Sequence, residues 1–137
     1  MIRLITLLLL AAAASAPFTL RADNTEPEPL PPASARKDVT FKRDIQPIFE
    51  QSCVKCHGAK KAKAHLRLDT LENVVKGSED GKVIHPGDSA KSLLVKSVAH
   101  TSDPDLWMPP EDNKFDIKPL SKEQVGLIRA WIDQGAK

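Results

Sequence analysis

A chain of 137 residues with 41% hydrophobic content has room for one compact domain and little else. Its 20 Lys and Arg stand against 18 Asp and Glu, a net charge of +2 that excludes the dominant basic face of a nucleic-acid binder. Aromatic side chains are scarce, with no Tyr, four Phe and two Trp, so a domain of this size gains from a large apolar cofactor at its centre.

The chain opens with Met1, Ile2 and Arg3, followed by the apolar run Leu4 to Ala14 and the small-residue run Ala11 to Ala16. One positive charge ahead of an apolar stretch too short to span a bilayer is the pattern of a secretory signal, assigned to residues 1–22. Read instead as a buried first helix, the alanine run would be poor packing material. Cleavage is expected between Ala14 and Ala22, with Pro17 disfavouring a cut directly after Ala16. No cysteine lies there to carry a lipid, and no second apolar run is long enough to cross a membrane. An exported, soluble protein of the periplasm or cell envelope is the expectation. Residues 23–38, with Glu26-Pro27-Glu28-Pro29-Leu30-Pro31-Pro32, read as a disordered tether, and the folded domain is assigned to 39–137.

Phe41, Ile45, Ile48 and Phe49 recur at helical spacing, with Asp44 as a cap and Pro47 tolerated in the first turn. Thr70 to Val75 reads as a short helix stopped by Gly77, and Gly77 to Gly81 as a turn. His85-Pro86-Gly87-Asp88 is a second turn, in which Asp88 or Ser89 caps a helix reaching Ala99 with Leu93, Leu94 and Val98 facing inward. The last helix has the fullest set of signals. Ser121 and Gln124 form a capping box, Leu120 can staple to Val125, and Val125, Ile128, Trp131 and Ile132 make an apolar stripe ending before Gly135. No alternating strand pattern stands out, so the domain is expected to be all-α.

The two cysteines sit in Cys53-Val54-Lys55-Cys56-His57, the C-x-x-C-H spacing of covalent haem attachment. Two thiols three residues apart, taken to lie at a helix start, can add to the two vinyl groups of one porphyrin, and the next residue places an imidazole beneath the iron. One haem c, held by Cys53 and Cys56 and ligated by His57, is therefore expected. Three other readings use the same residues. A Cys53–Cys56 disulfide would close too short a loop to stabilise much. A thiol–disulfide redox pair would want a strand before the first Cys, where an amphipathic helix is read instead. A zinc site would need further ligands, and His65, His85 and His100 fall at irregular separations.

The sixth iron position decides between electron transfer and chemistry at an open iron. Met108, the one methionine after Met1, lies in the loop Trp107-Met108-Pro109-Pro110, where two prolines would hold a soft thioether in place. Core filling is the plain alternative for Met108, and His85 and His100 are the fallback ligands. Lys55, Lys60, Lys61 and Lys63 cluster around the attachment motif, as a solvated face or as a docking patch for an acidic redox partner. Trp131 and Phe49 read as packing residues joining the first and last helices beside the haem.

The folded segment resembles the planctomycete-type cytochrome c domain. The resemblance rests on Phe41 with Asp44-Ile45-Gln46-Pro47-Ile48 ahead of Cys53-Val54-Lys55-Cys56-His57-Gly58, then Leu66-Arg67-Leu68-Asp69 and Pro86-Gly87-Asp88 with Ser92-Leu93-Leu94. It continues through Met108-Pro109-Pro110 to Leu120-Ser121, Ile128, Trp131-Ile132 and Gly135-Ala136. It implies a small class I-like cytochrome c fold with helices around one covalent haem, His57 and Met108 as axial ligands, and one-electron transfer rather than enzyme catalysis. Such a domain usually opens a much larger protein, so either a free-standing carrier or a subunit meeting its partners non-covalently is implied here. Rival functions are a haem subunit or sensor with an open or His-ligated iron, a haem-free thiol–disulfide enzyme, and a structural subunit whose haem is never reduced.

Overall fold

The computed structural model describes residues 29–137. The predicted export signal and the first part of the proline-rich segment lie outside the described residues.

The described chain is helical. A wide π-type turn over Phe41–Ile45 runs directly into α1, Gln46–Ser52, followed by α2 (Leu71–Lys76), α3 (Leu93–Val98) and α4 (Lys122–Asp133). Short 3-10 turns at Lys63–His65 and Pro104–Leu106 punctuate the loops. Among the described residues the only β-type pairings are two isolated bridges, His57 with Ala62 and Ser78 with Gly81. The all-α expectation holds.

The first helical segment starts at Phe41, as the apolar spacing predicts, and so a turn earlier than a cap at Asp44 allows, with Thr40 in the N-cap position. Asp44 does not cap α1; its carboxylate reaches back to accept the Thr40 N–H at 2.8 Å and the guanidinium of Arg43 at 2.9 Å, with Arg36 at 2.7 Å. Those donors hold the buried Asp44 carboxyl down at a pKa of about 2, the Arg43 hydrogen bond contributing most. Pro47 occupies the first turn of α1, where a missing N–H costs nothing. α2 follows its signals closely, with the Thr70 hydroxyl accepting the Asn73 N–H at 3.2 Å and Gly77 closing the end. In α3, by contrast, Ser92 precedes the helix and neither expected cap serves it. Asp88 accepts the Lys91 N–H within its own turn, and Ser89 is drawn to α4, where Asp133 takes both its N–H (2.7 Å) and its hydroxyl (3.0 Å).

α4 carries both halves of its capping box between Ser121 and Gln124. It ends in a Schellman turn, in which Gly135 at φ 100° donates to Ile132 and Ala136 donates to Trp131, each at 2.9 Å. Its stripe of Val125, Ile128, Trp131 and Ile132 is almost fully buried. The Trp131 ring meets Phe41 at 5.7 Å and, edge-on, Phe49 at 6.5 Å, which joins the first and last helices as expected. Its indole N–H donates to the Lys137 carbonyl at 3.0 Å and the Phe41 N–H donates to the same carbonyl at 2.9 Å, so Lys137 and the start of the first helical turn are tied to this aromatic cluster.

The proline-rich segment behaves differently from a free tether over its described part. Leu30 packs on the core, the Ser34 N–H donates to the Gly126 carbonyl at 2.9 Å, and Arg129 donates to the Pro31 carbonyl. Further along, Gln134 donates to the Arg36 carbonyl at 2.8 Å. Proline favours the extended backbone whose carbonyls point outward, and α4 supplies donors to meet them. Gly126 makes this approach possible, since a Cβ there would stand 2.7 Å from the Pro32 carbonyl oxygen.

Candidate functional site

α1 delivers the Cys-His motif, but as the exit of a helix rather than as a helix start. The N–H groups of Cys53 (2.7 Å) and Val54 (3.0 Å) both close on the Phe49 carbonyl, satisfying the end of α1. Those of Cys56 and His57 then fold onto the Cys53 carbonyl at 3.0 and 2.9 Å. This tight coil places Cys53, Cys56 and His57 on one side. Gly58 is needed beneath it, because a Cβ would meet the Val54 carbonyl oxygen at 2.4 Å. The following loop is laced back onto the motif by Lys63 N–H to Cys56 carbonyl at 3.1 Å and Leu68 N–H to His57 carbonyl at 2.8 Å.

His57 is oriented by the chain itself. Its Nδ1 lies 3.3 Å from the Leu66 carbonyl oxygen, which can only accept, so Nδ1 carries the proton and Nε2 is left with a free lone pair. Burial, the largest influence, also pushes the imidazole pKa below its usual value and keeps the ring neutral, the form that binds a metal. Both cysteines are free thiols. Burial pushes the Cys53 thiol up to about 12, with Cys56 adding to the effect. A nucleophilic redox cysteine needs the opposite shift, so the burial of Cys53 does not favour it as the attacking thiol of a redox pair. Among the described residues no three His, Cys, Asp or Glu side chains gather as a metal site, which leaves the zinc reading without a fourth ligand.

Met108 reaches the same place from the far end of the sequence. Cys53, Cys56, His57, Met108 and Pro109 line one partly open cleft of about 200 Å³. Its other walls are almost entirely apolar, built from Phe49 of α1, Leu66 and Leu68 of the loop after the motif, Leu93 and Leu94 of α3, and Leu106 and Ile117. Leu93 and Leu106 are 40% and 43% exposed, large side chains that folding alone leaves uncovered at this cleft. His85 and His100 are not among the lining residues. Leu93, expected to face inward with Leu94 and Val98, thus faces the cleft instead of the protein core.

Several wall residues carry no site role in the sequence reading, Leu66 and Leu68 standing there only as part of the resemblance. Leu66 and Leu68 alternate around Arg67, which turns to Asp69 at 2.5 Å, so the Leu-Arg-Leu-Asp run is a short extended piece with one apolar face. Asn113 knots the loop after Met108 by donating to the Pro110 (2.8 Å) and Ile117 (3.0 Å) carbonyls and accepting the Ile117 N–H (2.8 Å). Its place between two loop signals, Pro110 and Pro119, was the available hint. The expected basic cluster of Lys55, Lys60, Lys61 and Lys63 is exposed beside the motif. Lys55 lies 5.8 Å from the ring of the exposed Phe115, with Lys114 at 5.2 Å on the same ring, which extends the patch across the loop after Met108.

Two free thiols, a neutral imidazole with its second nitrogen open, a thioether and apolar walls are the donor set and surroundings that fit a covalently attached haem. Among the described residues no helix is long and apolar enough to cross a membrane. A family model described as planctomycete cytochrome C matches residues 53–112, which run from the first cysteine to just past the Met108 loop. No curated protein and no solved structure matches the chain.

Proposed function

We propose, on the premise that residues 53–112 form a planctomycete-type cytochrome c domain, that the chain is a monohaem one-electron carrier of the periplasm or cell envelope, with a class I-like fold. The observation that carries this reading is the convergence of Cys53, Cys56 and His57 with Met108 on one apolar cleft. Haem c, when bound, supplies a one-electron Fe(III)/Fe(II) couple. Cys53 and Cys56 would hold the porphyrin covalently, and His57 through Nε2 and Met108 through its sulfur would serve as iron ligands. The Leu66 carbonyl fixes the imidazole orientation, and Leu68, Leu94 and Pro109 would keep water from a bound haem iron and favour its less charged state. With both thiols, the imidazole and the thioether given to the haem, the reading is of a carrier and not an enzyme. Lys55, Lys60, Lys61 and Lys63 form the docking patch that steers an acidic redox partner toward the cleft.

The export machinery reads residues 1–22 on this view, because haem attachment of this kind needs reduced thiols presented outside the cytoplasm. The rival reading, a sensor or subunit with an open or His-ligated iron, has less support because His85 and His100 lie off the cleft. Visible spectra of the matured protein, with Met108→Ala alongside, separate the two. The carrier reading expects haem that survives denaturation, a weak long-wavelength ferric band of Met ligation that Met108→Ala abolishes, and no carbon monoxide binding by the reduced protein. Absence of covalent haem would overturn it, and avid carbon monoxide binding would favour the rival.

A further inference from the structure

The residue that follows α3 sits in a conformation it should avoid. α3 ends, like α4, in a Schellman turn, with His100 donating to the Ser97 carbonyl at 3.2 Å and Thr101 donating to the Lys96 carbonyl at 2.9 Å. In α4 the left-handed position of that turn belongs to Gly135, whereas in α3 it belongs to His100, at φ 55°. A residue with a Cβ is disfavoured there, and a strained position of this kind often has a task for its side chain.

The His100 side chain has two partners. Its ring stacks on Trp107 with centroids 4.8 Å apart and planes 5° from parallel. Its Nε2 lies 3.3 Å from the Met108 carbonyl oxygen, an acceptor only, so Nε2–H donates. The Met108 N–H in turn donates to the Ser97 carbonyl at 3.1 Å, and the Trp107 indole N–H to the Ser102 carbonyl at 2.9 Å. Both backbone polar groups of Met108 are thus held by the end of α3, and the residue before it is clamped by the same imidazole.

We infer that His100 is a positioning residue for Met108: through its hydrogen bond to the Met108 carbonyl and its stack on Trp107 it holds the methionine loop over the cleft and resists displacement of the sulfur. This rests on the reading of Met108 as the sixth ligand. Displacing Met108 from the iron requires the loop to swing outward, and the swing breaks both contacts.

The test is imidazole titration of the ferric haem protein in wild type, His100→Gly and His100→Asn, with Met108→Ala as the reference. Glycine and asparagine suit the left-handed position better than histidine, so a purely backbone role for position 100 predicts an unchanged or higher melting temperature and unchanged ligand binding. Neither replacement reaches the Met108 carbonyl. The positioning role predicts a weakened Met-ligation band and imidazole binding about tenfold tighter, the scale of one hydrogen bond and one ring stack. Unchanged imidazole affinity in both variants overturns the inference while leaving Met ligation intact. A wild-type spectrum without the Met band, matched by Met108→Ala, removes the premise and the inference together. A wild-type low-spin spectrum without the Met band that Met108→Ala preserves but His100→Gly converts to high spin would make His100 itself the ligand and overturn both.

Discussion

Gly126 offers the sharpest quantitative check on the packing of the N-terminal strap, because substituting it sets two effects of opposite sign against each other. Within α4, Gly126→Ala relieves the backbone entropy cost of a mid-helix glycine and should stabilise by about 1 kcal/mol. In the full chain, however, the new Cβ would lie 2.7 Å from the Pro32 carbonyl oxygen, a backbone atom that cannot rotate aside. Moving the strap away breaks the bond from Ser34 N–H to the Gly126 carbonyl and the one from Arg129 to the Pro31 carbonyl. At about 1 kcal/mol each, somewhat more for the charged donor, their loss costs roughly 2–3 kcal/mol. The net effect is a destabilisation of about 1–2 kcal/mol, a fall of order 10 °C in Tm for a domain near 100 residues. A shortened chain beginning at Asp38 has no strap to strike, so there the same substitution should stabilise by about 1 kcal/mol. Urea unfolding of the four haem-loaded proteins gives the coupling directly, expected at roughly 2–3 kcal/mol. Equal effects of Gly126→Ala in both backgrounds, with coupling near zero, would show that the strap does not rest on α4 and would refute the reasoning.

Asp44 sets an acid limit on stability. Its pKa is held at about 2, mainly by Arg43, below the ordinary value of about 3.9 for a free carboxyl, so folding favours the carboxylate. Its contribution is fully present above about pH 4 and is lost as the pH falls toward 2. The urea midpoint of wild type should therefore drop more steeply across that window than that of Asp44→Asn, the two curves converging near pH 2; parallel curves would mean that the Arg43, Thr40 and Arg36 contacts are not maintained in solution. The docking patch is tested by the double charge reversal Lys60→Glu with Lys61→Glu. Electron transfer with an acidic redox protein should slow several-fold at low ionic strength and lose part of its salt dependence, with the visible spectrum unchanged. A rate indifferent to both reversals would place docking on another face.

Local rules carried the reading a long way where the chain answers its own backbone. The Ser121–Gln124 box, Gly135 and the stripe ending in Trp131 and Ile132 need nothing beyond one helix, and Thr70 and Gly77 frame α2 in the same way. Asp44 and Ser89 do not cap the helices their positions suggest, because Asp44 turns back to the Thr40 N–H and the Arg43 and Arg36 guanidinium groups, and Ser89 is drawn to the Asp133 carboxylate on α4. A buried carboxylate or hydroxyl goes to the strongest donor or acceptor that folding brings near, and capping propensity does not report that.

The Cys-x-x-Cys-His motif is legible in the sequence because it occupies five consecutive residues, so spacing alone groups Cys53, Cys56 and His57. What spacing could not reveal is which far residue closes the other side of the cleft, or that residues 30–36 are seated on α4 at a glycine. His100 and His85 looked equivalent as fallback ligands, yet one proves to grip the Met108 loop and the other sits exposed in a turn. Those distinctions depend on contacts between segments tens of residues apart, which are set by how the apolar faces of α1, α3 and α4 pack and not by the local preference of any residue. The sequence by itself determined which residues stand together in the Cys-x-x-Cys-His motif, and the tertiary structure decided the second wall of the cleft, the orientation of His57 and the seating of the strap on α4.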